Sequence, residues 1–333
     1  MKTNYFFNVL LLTLITLTSC TNSKPEELDI VRLNRSLNMS YAPIFLAEEA
    51  GYFTEYGIEL EMVDFERTAE AIPLVISGDL DVYAGAINAG ILNTLFNEPT
   101  IRIVADRGKV TREMDCTYQG ILVRRDLFES GIVTKPEDLA GLTIVSSAAG
   151  PAAFLLSDYL AQGGLTLEDV AVNDLPPAAF VDSMSNGTVD LIVTIELNLS
   201  RVLAAGESVL LTSAEDVLGD FQTSVLAFGK NLLVDDPELG ARFLAAYLKG
   251  VALYNEGKTN RNLQVLAEIT GEEVGVLKNA CWLPISKDGV PDFNSVVPFM
   301  NWSIEQGHLD QAITEDQFWT PSFLDSAKAL ISQ

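Results

Sequence analysis

Short apolar runs alternate with longer segments of helical spacing along most of this chain. Residues 30–33, 58–63 and 143–145 have the length and composition of strands. A repeated order of strand, helix and strand is typical of a parallel sheet with helices on both faces. From about residue 237 onward the apolar spacing is helical only. The pattern therefore predicts an α/β protein with a helical C-terminal tail.

The predicted elements fall into two strand–helix series and a tail. The first series has strands at 30–33, 58–63, 82–84 and 101–105, with helices at 44–50, 68–77 and 88–96. The second has strands at 120–124, 143–145, 171–173, 191–193 and 209–211, with helices at 151–162, 177–186 and 197–205. A lone strand at 224–228 precedes helices at 237–256, 261–269, 272–279, 294–305 and 315–331.

The same short pattern ends a helix and begins a strand in each series. It reads Gly-x-apolar-Asp at residues 78–81 and again at 187–190. Glycine adopts the left-handed C-terminal cap of a helix at low cost, and each Asp precedes an apolar run suited to a buried parallel strand. The two copies predict two lobes of similar build with a ligand cleft between them.

The order of elements also predicts how the lobes are connected. We expect one lobe to contain residues 28–119 and 225–333, and the other to contain residues 120–224. The chain then crosses twice, near residues 118–124 and 222–229. Two crossing strands make a hinge that permits closure around a ligand. The predicted fold is therefore two doubly wound lobes joined by a two-strand hinge.

The N-terminus has the features of an export signal. Lys2 is followed by an apolar stretch at residues 5–17 that is short for a membrane span. Residues 17–20, Leu-Thr-Ser-Cys, resemble a bacterial lipobox, in which Cys20 is lipidated and becomes the mature N-terminus. We expect residues 1–20 to be removed or processed, residues 21–27 to be a tether, and the protein to be extracytoplasmic and held at a bacterial membrane by its lipid. The alternative is an ordinary signal peptide with a chance cysteine.

Composition and charge narrow the function further. A hydrophobic content of 48% with 20% charged residues excludes disorder, and a net charge of −25 disfavours nucleic acid as a partner. Cys116 and Cys281 are too few for a disulfide framework, and we expect two buried free thiols rather than a disulfide. With His308 as its one histidine, the chain offers no basis for a His-activated nucleophile or a His-based metal site. We expect no metal, no cofactor and no catalysis.

Several segments resemble one known family. They are Ala-Pro-Ile-Phe-Leu-Ala at 42–47, Gly-Tyr-Phe at 51–53 with Tyr-Gly-Ile at 56–58, Lys-Pro-Glu-Asp-Leu-Ala-Gly-Leu-Thr-Ile at 135–144, and Gly-Gly-Leu-Thr-Leu-Glu-Asp-Val at 163–170. From about residue 28 to 230 the chain resembles the substrate-binding proteins of ABC importers, in the branch for nitrate, sulfonates, taurine and thiamine-pyrimidine precursors. The resemblance implies a type II periplasmic-binding-protein fold, a monomer, a small-molecule ligand, and a membrane permease and ATPase as partners.

Ligand contacts are expected where the strands end. Ligands of open parallel sheets bind beyond the carboxyl ends of strands, where helix N-termini present free N–H groups. This rule and the family resemblance predict the same ligand-binding residues, namely Asn38, Tyr41, Asn88, Tyr118, Ser147 and Glu196.

Each of these residues also has a structural alternative. Asn88 and Ser147 have the side chains of helix N-caps, and the two tyrosines have those of wall residues with a bonded hydroxyl. Glu196 could bind a ligand amine or ring N–H, or pair with an arginine such as Arg107. Trp282 could stack on a heterocycle or belong to the core.

Three functions remain open at this stage. The first is a receptor that delivers a small polar solute to a permease; Glu196 favours a neutral or amine-bearing heterocycle, and Arg107 a sulfonate or nitrate. The second is a solute-sensing lipoprotein without transport. The third is an enzyme similar to eukaryotic thiamine-pyrimidine synthases, which use a histidine, a reactive lysine and a cysteine cluster. This chain has His308 as its one histidine, in the tail, and no cysteine cluster.

Overall fold

A computed structural model describes residues 28–65, 67–147 and 149–332. The predicted export signal, Cys20 and the tether lie outside these residues. The strands are β1 (Asp29–Arg35), β2 (Ile58–Asp64), β3 (Val82–Ala86), β4 (Arg102–Asp106), β5 (Lys109–Val110), β6 (Gln119–Arg124), β7 (Thr143–Val145), β8 (Ala171–Asn173), β9 (Leu191–Ile195), β10 (Ser208–Ser213), β11 (Phe221–Gln222) and β12 (Ser224–Phe228).

The α-helices are α1 (Ala42–Glu49), α2 (Tyr52–Glu55), α3 (Ile72–Ser77), α4 (Ala89–Asn97), α5 (Arg125–Glu129), α6 (Pro151–Gln162), α7 (Phe180–Ser185), α8 (Asn198–Ala204), α9 (Ala214–Val217), α10 (Pro237–Tyr254), α11 (Asn260–Thr270), α12 (Val274–Asn279), α13 (Phe293–Glu305), α14 (Glu315–Phe318) and α15 (Ser322–Ile331). Short 3-10 turns precede several of them, including Met39–Tyr41 before α1 and Thr68–Ala71 before α3.

The strands form two five-stranded sheets of equivalent order. The first sheet runs β2-β1-β3-β12-β4 and the second runs β8-β7-β9-β6-β10. The prediction of parallel sheets is wrong for one strand in each, because β12 and β6 are antiparallel to both of their neighbours. Each of these strands enters its sheet directly from the other lobe, without the crossover helix that makes neighbouring strands parallel.

Two segments carry the chain between the sheets. The first lies between β4 and β6, and the second between β10 and β12. Within them β5 and β11 pair as an antiparallel two-stranded ribbon. The crossings therefore precede the predicted positions, where β6 and β12 already belong to the sheets. The lobe boundaries at residues 119 and 224 stay a prediction.

The repeated Gly-x-apolar-Asp pattern performs the same structural task in both sheets. Gly78 and Gly187 have a left-handed backbone conformation, with φ of +83° and +73°. The Asp81 carboxylate accepts a hydrogen bond from the Arg32 backbone N–H at 2.7 Å, and the Asp190 carboxylate accepts one from the Thr143 N–H at 2.9 Å. In each sheet the carboxylate just before one strand is thereby hydrogen-bonded to the backbone of its parallel neighbour.

The helical tail packs on the first sheet's side of the molecule, where α10 contacts α1 and α15. The single helix predicted at 315–331 is wrong: α14 ends at Phe318 and α15 begins after Pro321. Pro321 has no N–H and disfavours helical geometry in the residue before it. Thr320 instead donates its N–H to the Ile103 carbonyl at 3.0 Å. Across residues 28–65, 67–147 and 149–332 we find no helix whose length and apolar character suit a bilayer crossing.

Candidate functional site

The residues predicted to contact a ligand lie at the ends of strands in both sheets. Asn38 and Tyr41 follow β1, Asn88 follows β3, Tyr118 precedes β6, Ser147 follows β7 and Glu196 follows β9. Because β6 is antiparallel to β9, its beginning pairs with the end of β9, at Gln119 and Ile195. The carboxyl-end rule thus extends to Tyr118, which comes before its strand.

Tyr118 lies close to predicted site residues of both sheets. The Tyr118 carbonyl accepts the Glu196 backbone N–H at 2.9 Å. The Ser40 side chain is close enough to the Tyr118 hydroxyl to oppose the rise of its pKa, and the Ser40 hydroxyl donates to Asn38 Oδ1 at 2.6 Å. The first crossing segment therefore lies close to both the turn after β1 and the end of β9.

Asn88 and Ser147 lie apart from this chain of contacts. Asn88 is the N-cap of α4, since its Oδ1 accepts the Ile91 N–H at 3.0 Å, as its structural alternative predicts. Ser147 is exposed and is not the N-cap of α6, a position that Gly150 occupies. The capping alternative is wrong for Ser147.

Arg107 is a buried cation at the end of β4. Its side chain is 1% exposed, and within residues 28–65, 67–147 and 149–332 its Nε and Nη1 atoms have no hydrogen-bond partner. The guanidinium carbon lies 4.1 Å from the centroid of the Tyr41 ring. A desolvated cation with free in-plane donors is a site for an anion.

The backbone around Arg107 is fixed on both sides. Its own N–H donates to the Ser224 carbonyl at 3.1 Å. Gly108 follows with φ of +128°, and a Cβ atom there would lie 2.4 Å from the Leu283 side chain. Only glycine fits this turn, because the conformation is strained for other residues and Leu283 fills the space.

The nearest carboxylate in sequence does not neutralise Arg107. Asp106 Oδ1 accepts hydrogen bonds from the Gly108 N–H and the Gln222 side-chain amide, at 2.6 and 2.5 Å. Its Oδ2 accepts the Ser286 N–H at 2.6 Å. Burial raises the pKa of Asp106, and these hydrogen bonds oppose the rise. Both carboxylate oxygens are thus engaged away from the guanidinium.

Four buried tyrosines lie within electrostatic range of the cation. Burial raises the pKa of Tyr41, Tyr83, Tyr118 and Tyr247, that of Tyr118 to about 12, while the positive charge of Arg107 opposes the rise in each. All four phenols are therefore neutral at physiological pH and bring no negative charge to the cation.

Glu196 is buried and already bonded. Its Oε1 accepts from the Ser200 hydroxyl at 2.8 Å and the Cys281 N–H at 3.0 Å, and its Oε2 accepts the Ser200 N–H at 3.2 Å. Burial raises the pKa of Glu196, and these hydrogen bonds oppose the rise. The alternative in which Glu196 pairs with Arg107 is wrong, because among the described residues Glu196 is bonded to Ser200 and Cys281, and the Nε and Nη1 atoms of Arg107 have no partner.

The prediction of free thiols is wrong, because Cys116 and Cys281 form a disulfide with an S–S distance of 2.05 Å. Their separation of 165 residues carries no local signal of pairing. The bond ties the first crossing segment to the tail.

Next to the disulfide, the Trp282 ring stacks on Tyr254 with 5.1 Å between centroids, and its indole N–H donates to the Leu277 carbonyl. Trp282 thus has a core position in this conformation.

Two surface cavities lie elsewhere. One of about 450 Å³ is bordered by Arg102, Trp319 and Phe323, and another of about 310 Å³ by Phe45, Leu60 and Ile269. Neither borders Arg107, so the unpaired charge is a better guide to the site than cavity size. In the described part of the chain no three His, Cys, Asp or Glu side chains are grouped as metal ligands.

Comparison with solved structures shows the fold. The aliphatic sulphonate-binding protein SsuA from Escherichia coli aligns with a TM-score of 0.70 and 16% identity over 90% of this chain and 93% of its own. The nitrate-binding protein NrtA from Synechocystis PCC 6803 aligns with a TM-score of 0.71 and 15% identity, over 92% and 90%. The desulfurization enzyme DSZB is also similar, with a TM-score of 0.66 and 16% identity over 91% and 99%. The type II periplasmic-binding-protein fold is therefore confirmed.

Sequence comparisons agree with the fold. The nitrate import ATP-binding protein NrtC of Synechococcus elongatus is 24% identical over 248 residues, which are 72% of this chain. The match spans only 37% of that protein's length. The family model described as NMT1/THI5 like matches residues 38–256, more than half of the 333 residues. The resemblance to ABC-importer substrate-binding proteins is confirmed, and the chain belongs to the NMT1/THI5-like family.

Proposed function

We propose that this protein is the solute-binding component of an ABC import system and that its solute is a small monoanionic oxyanion of the nitrate or sulfonate class. The observation that carries the proposal is Arg107, a fully buried guanidinium with unpartnered Nε and Nη1 atoms in the described chain. The relatives named for nitrate and sulphonate binding support the same ligand class.

The energetics of burial favour an anion. Removing a cation from water without a partner costs several kcal/mol, even after the protein relaxes. A bound oxyanion would recover that energy through charge-assisted hydrogen bonds, which are about twice as strong as neutral ones. One guanidinium with neutral tyrosines around it balances one negative charge, so we propose a monoanion rather than a dianion such as sulfate.

This proposal departs from the heterocycle that Glu196 favours in the sequence. The Glu196 carboxylate already accepts three hydrogen bonds from Ser200 and Cys281, which leaves about one acceptor site for a ligand amine. Arg107 has more capacity for a ligand, because two of its nitrogens lack partners among the described residues. We therefore propose that Arg107 binds the solute directly and that Glu196 orients the end of β9.

A ligand panel tests the proposed solute class. Thermal shift and titration calorimetry would compare nitrate, methanesulfonate, sulfate, a neutral pyrimidine and a flavin. We expect nitrate or methanesulfonate at a hundred times its dissociation constant to stabilise the protein by about 2.7 kcal/mol. Sulfate, the pyrimidine and the flavin should have little effect at equal concentration. Stabilisation by the pyrimidine or flavin without any by the monoanions would contradict the proposal.

We further propose that the protein acts without catalysis, at the outer side of a bacterial membrane, beside a permease and its ATPase. The family supports these partners, and the lipobox-like residues 17–20 support anchoring through Cys20.

Metabolic labelling with a radioactive fatty acid tests the lipid anchor and should mark the wild-type protein in the membrane fraction. Cys20→Ser should remove the label and the membrane association. Equal labelling of both proteins would exclude Cys20 as the anchor.

A further inference from the structure

Tyr41 is a predicted ligand contact whose polar atom is not free. Its side chain is fully buried, and its hydroxyl bonds to the Asn34 side-chain amide and to the Ala84 carbonyl. Asn34 also accepts the Ala84 N–H at 2.8 Å and donates to the Ala84 carbonyl at 2.7 Å. The phenol is therefore fixed to β1 and β3, and because its one proton is donated to the Ala84 carbonyl, it has no donor left for an anionic solute.

The free part of Tyr41 is the face of its ring. The Arg107 guanidinium carbon lies 4.1 Å from the ring centroid, within the range of a cation–π interaction. Such an interaction stabilises the charge through the ring quadrupole and leaves the in-plane N–H groups of the guanidinium unused. A carboxylate in the same place would stabilise the charge by occupying those N–H groups.

The two buried carboxylates of this region are kept away from the cation. Asp106 is bonded to Gly108, Gln222 and Ser286, and Glu196 to Ser200 and Cys281. The charge of Arg107 is thus held by a group that does not compete with an anion for its donors. Pre-positioning of this kind lowers the cost of ordering the side chain on binding.

We propose that Tyr41 is a positioning residue for anion binding, which holds the Arg107 guanidinium over its ring and leaves the N–H donors to the solute. The inference rests on the proposed function, because it concerns the same site. In this role the Tyr41 hydroxyl fixes the side chain to β1 and β3, and the Tyr41 ring positions the Arg107 guanidinium.

A series of isosteric rings at position 41 tests this role. Tyr41→Phe keeps the ring, and replacing that Phe with mono-, di- and trifluorinated phenylalanine lowers the ring quadrupole in steps at nearly constant shape. We expect the affinity for methanesulfonate or nitrate to fall stepwise, by about tenfold in total. The same series at Phe243, a buried ring that packs against Phe53 and Phe228, is the matched control and should leave the affinity unchanged.

A second measurement needs no solute. In a spectrum of ¹⁵N-arginine side chains, the Arg107 Nε–H signal should show a ring-current shift in wild type and Tyr41→Phe. Tyr41→Leu should lose this shift. A flat fluorination series, or an Arg107 signal that Tyr41→Leu does not move, would overturn the role of Tyr41 while leaving anion binding intact. If the ring-current shift is present but neither anion binds wild type, the proposed function fails, and the positioning role fails with it.

Discussion

Replacement of Arg107 by methionine lowers the affinity for the bound monoanion at least about a hundredfold, because the solute then enters a buried site with no charge to meet it. The same change makes the solute-free protein more stable. Methionine matches much of the volume of arginine, and replacing even paired buried ions by apolar side chains of similar volume is often neutral or stabilising by about 1–4 kcal/mol, so loss of a buried ion without a carboxylate partner should be stabilising. A substitution that weakens anion binding but raises the free energy of unfolding identifies a residue that is retained for function and not for stability.

Titration calorimetry with nitrate or methanesulfonate gives the affinity, and urea unfolding without solute gives the free energy of unfolding. Arg102→Met is the matched control, since Arg102 lies at the other end of β4 and donates to the carbonyls of Leu95, Glu98 and Ile101. We expect that variant to bind normally and to gain no stability. Unchanged anion affinity in Arg107→Met, together with a lower unfolding free energy, would show that Arg107 is structural.

The sequence predicted most of the fold because the information is local. Strands and helices follow from apolar spacing, and β7, β8, β12 and α6 have the predicted bounds. The left-handed Gly78 and Gly187 follow from the needs of a helix C-terminus. The antiparallel direction of β6 and β12 could not be predicted in this way, because it depends on which sheet a strand joins after the chain has crossed.

The site was less predictable because the hydrogen bonds and charges of its residues depend on partners that are far away in the sequence. Strand ends indicate where Tyr41 and Glu196 lie, but their hydrogen-bond partners Ala84 and Cys281 come from other elements. Arg107 is buried, and the ring that its guanidinium contacts belongs to Tyr41, on a distant part of the chain. The sequence could identify Arg107 as a cation near the cleft, but not that its donors remain unpaired.

Removal of the disulfide is expected to have the second large effect, on stability. Cys116 and Cys281 close a loop of 165 residues, and loss of such a bond restores much of the freedom of the unfolded chain. Native disulfides of this kind contribute about 2–5 kcal/mol. For Cys116→Ala/Cys281→Ala we expect a loss in this range and a melting temperature lower by on the order of 10 °C.

The disulfide also anchors the segment that donates hydrogen bonds to the buried carboxylates of Asp106 and Glu196. The Cys281 N–H donates to Glu196 and the Ser286 N–H donates to Asp106, so a looser segment leaves these carboxylates with fewer donors. A burial cost of this kind adds to the entropic loss. Calorimetry with and without dithiothreitol separates the disulfide from the side chains: the reductant should lower the melting temperature of wild type and leave the double variant unchanged. If reduced wild type, with two thiols titrated, melts at the temperature of the oxidised protein, the bond makes no contribution to stability.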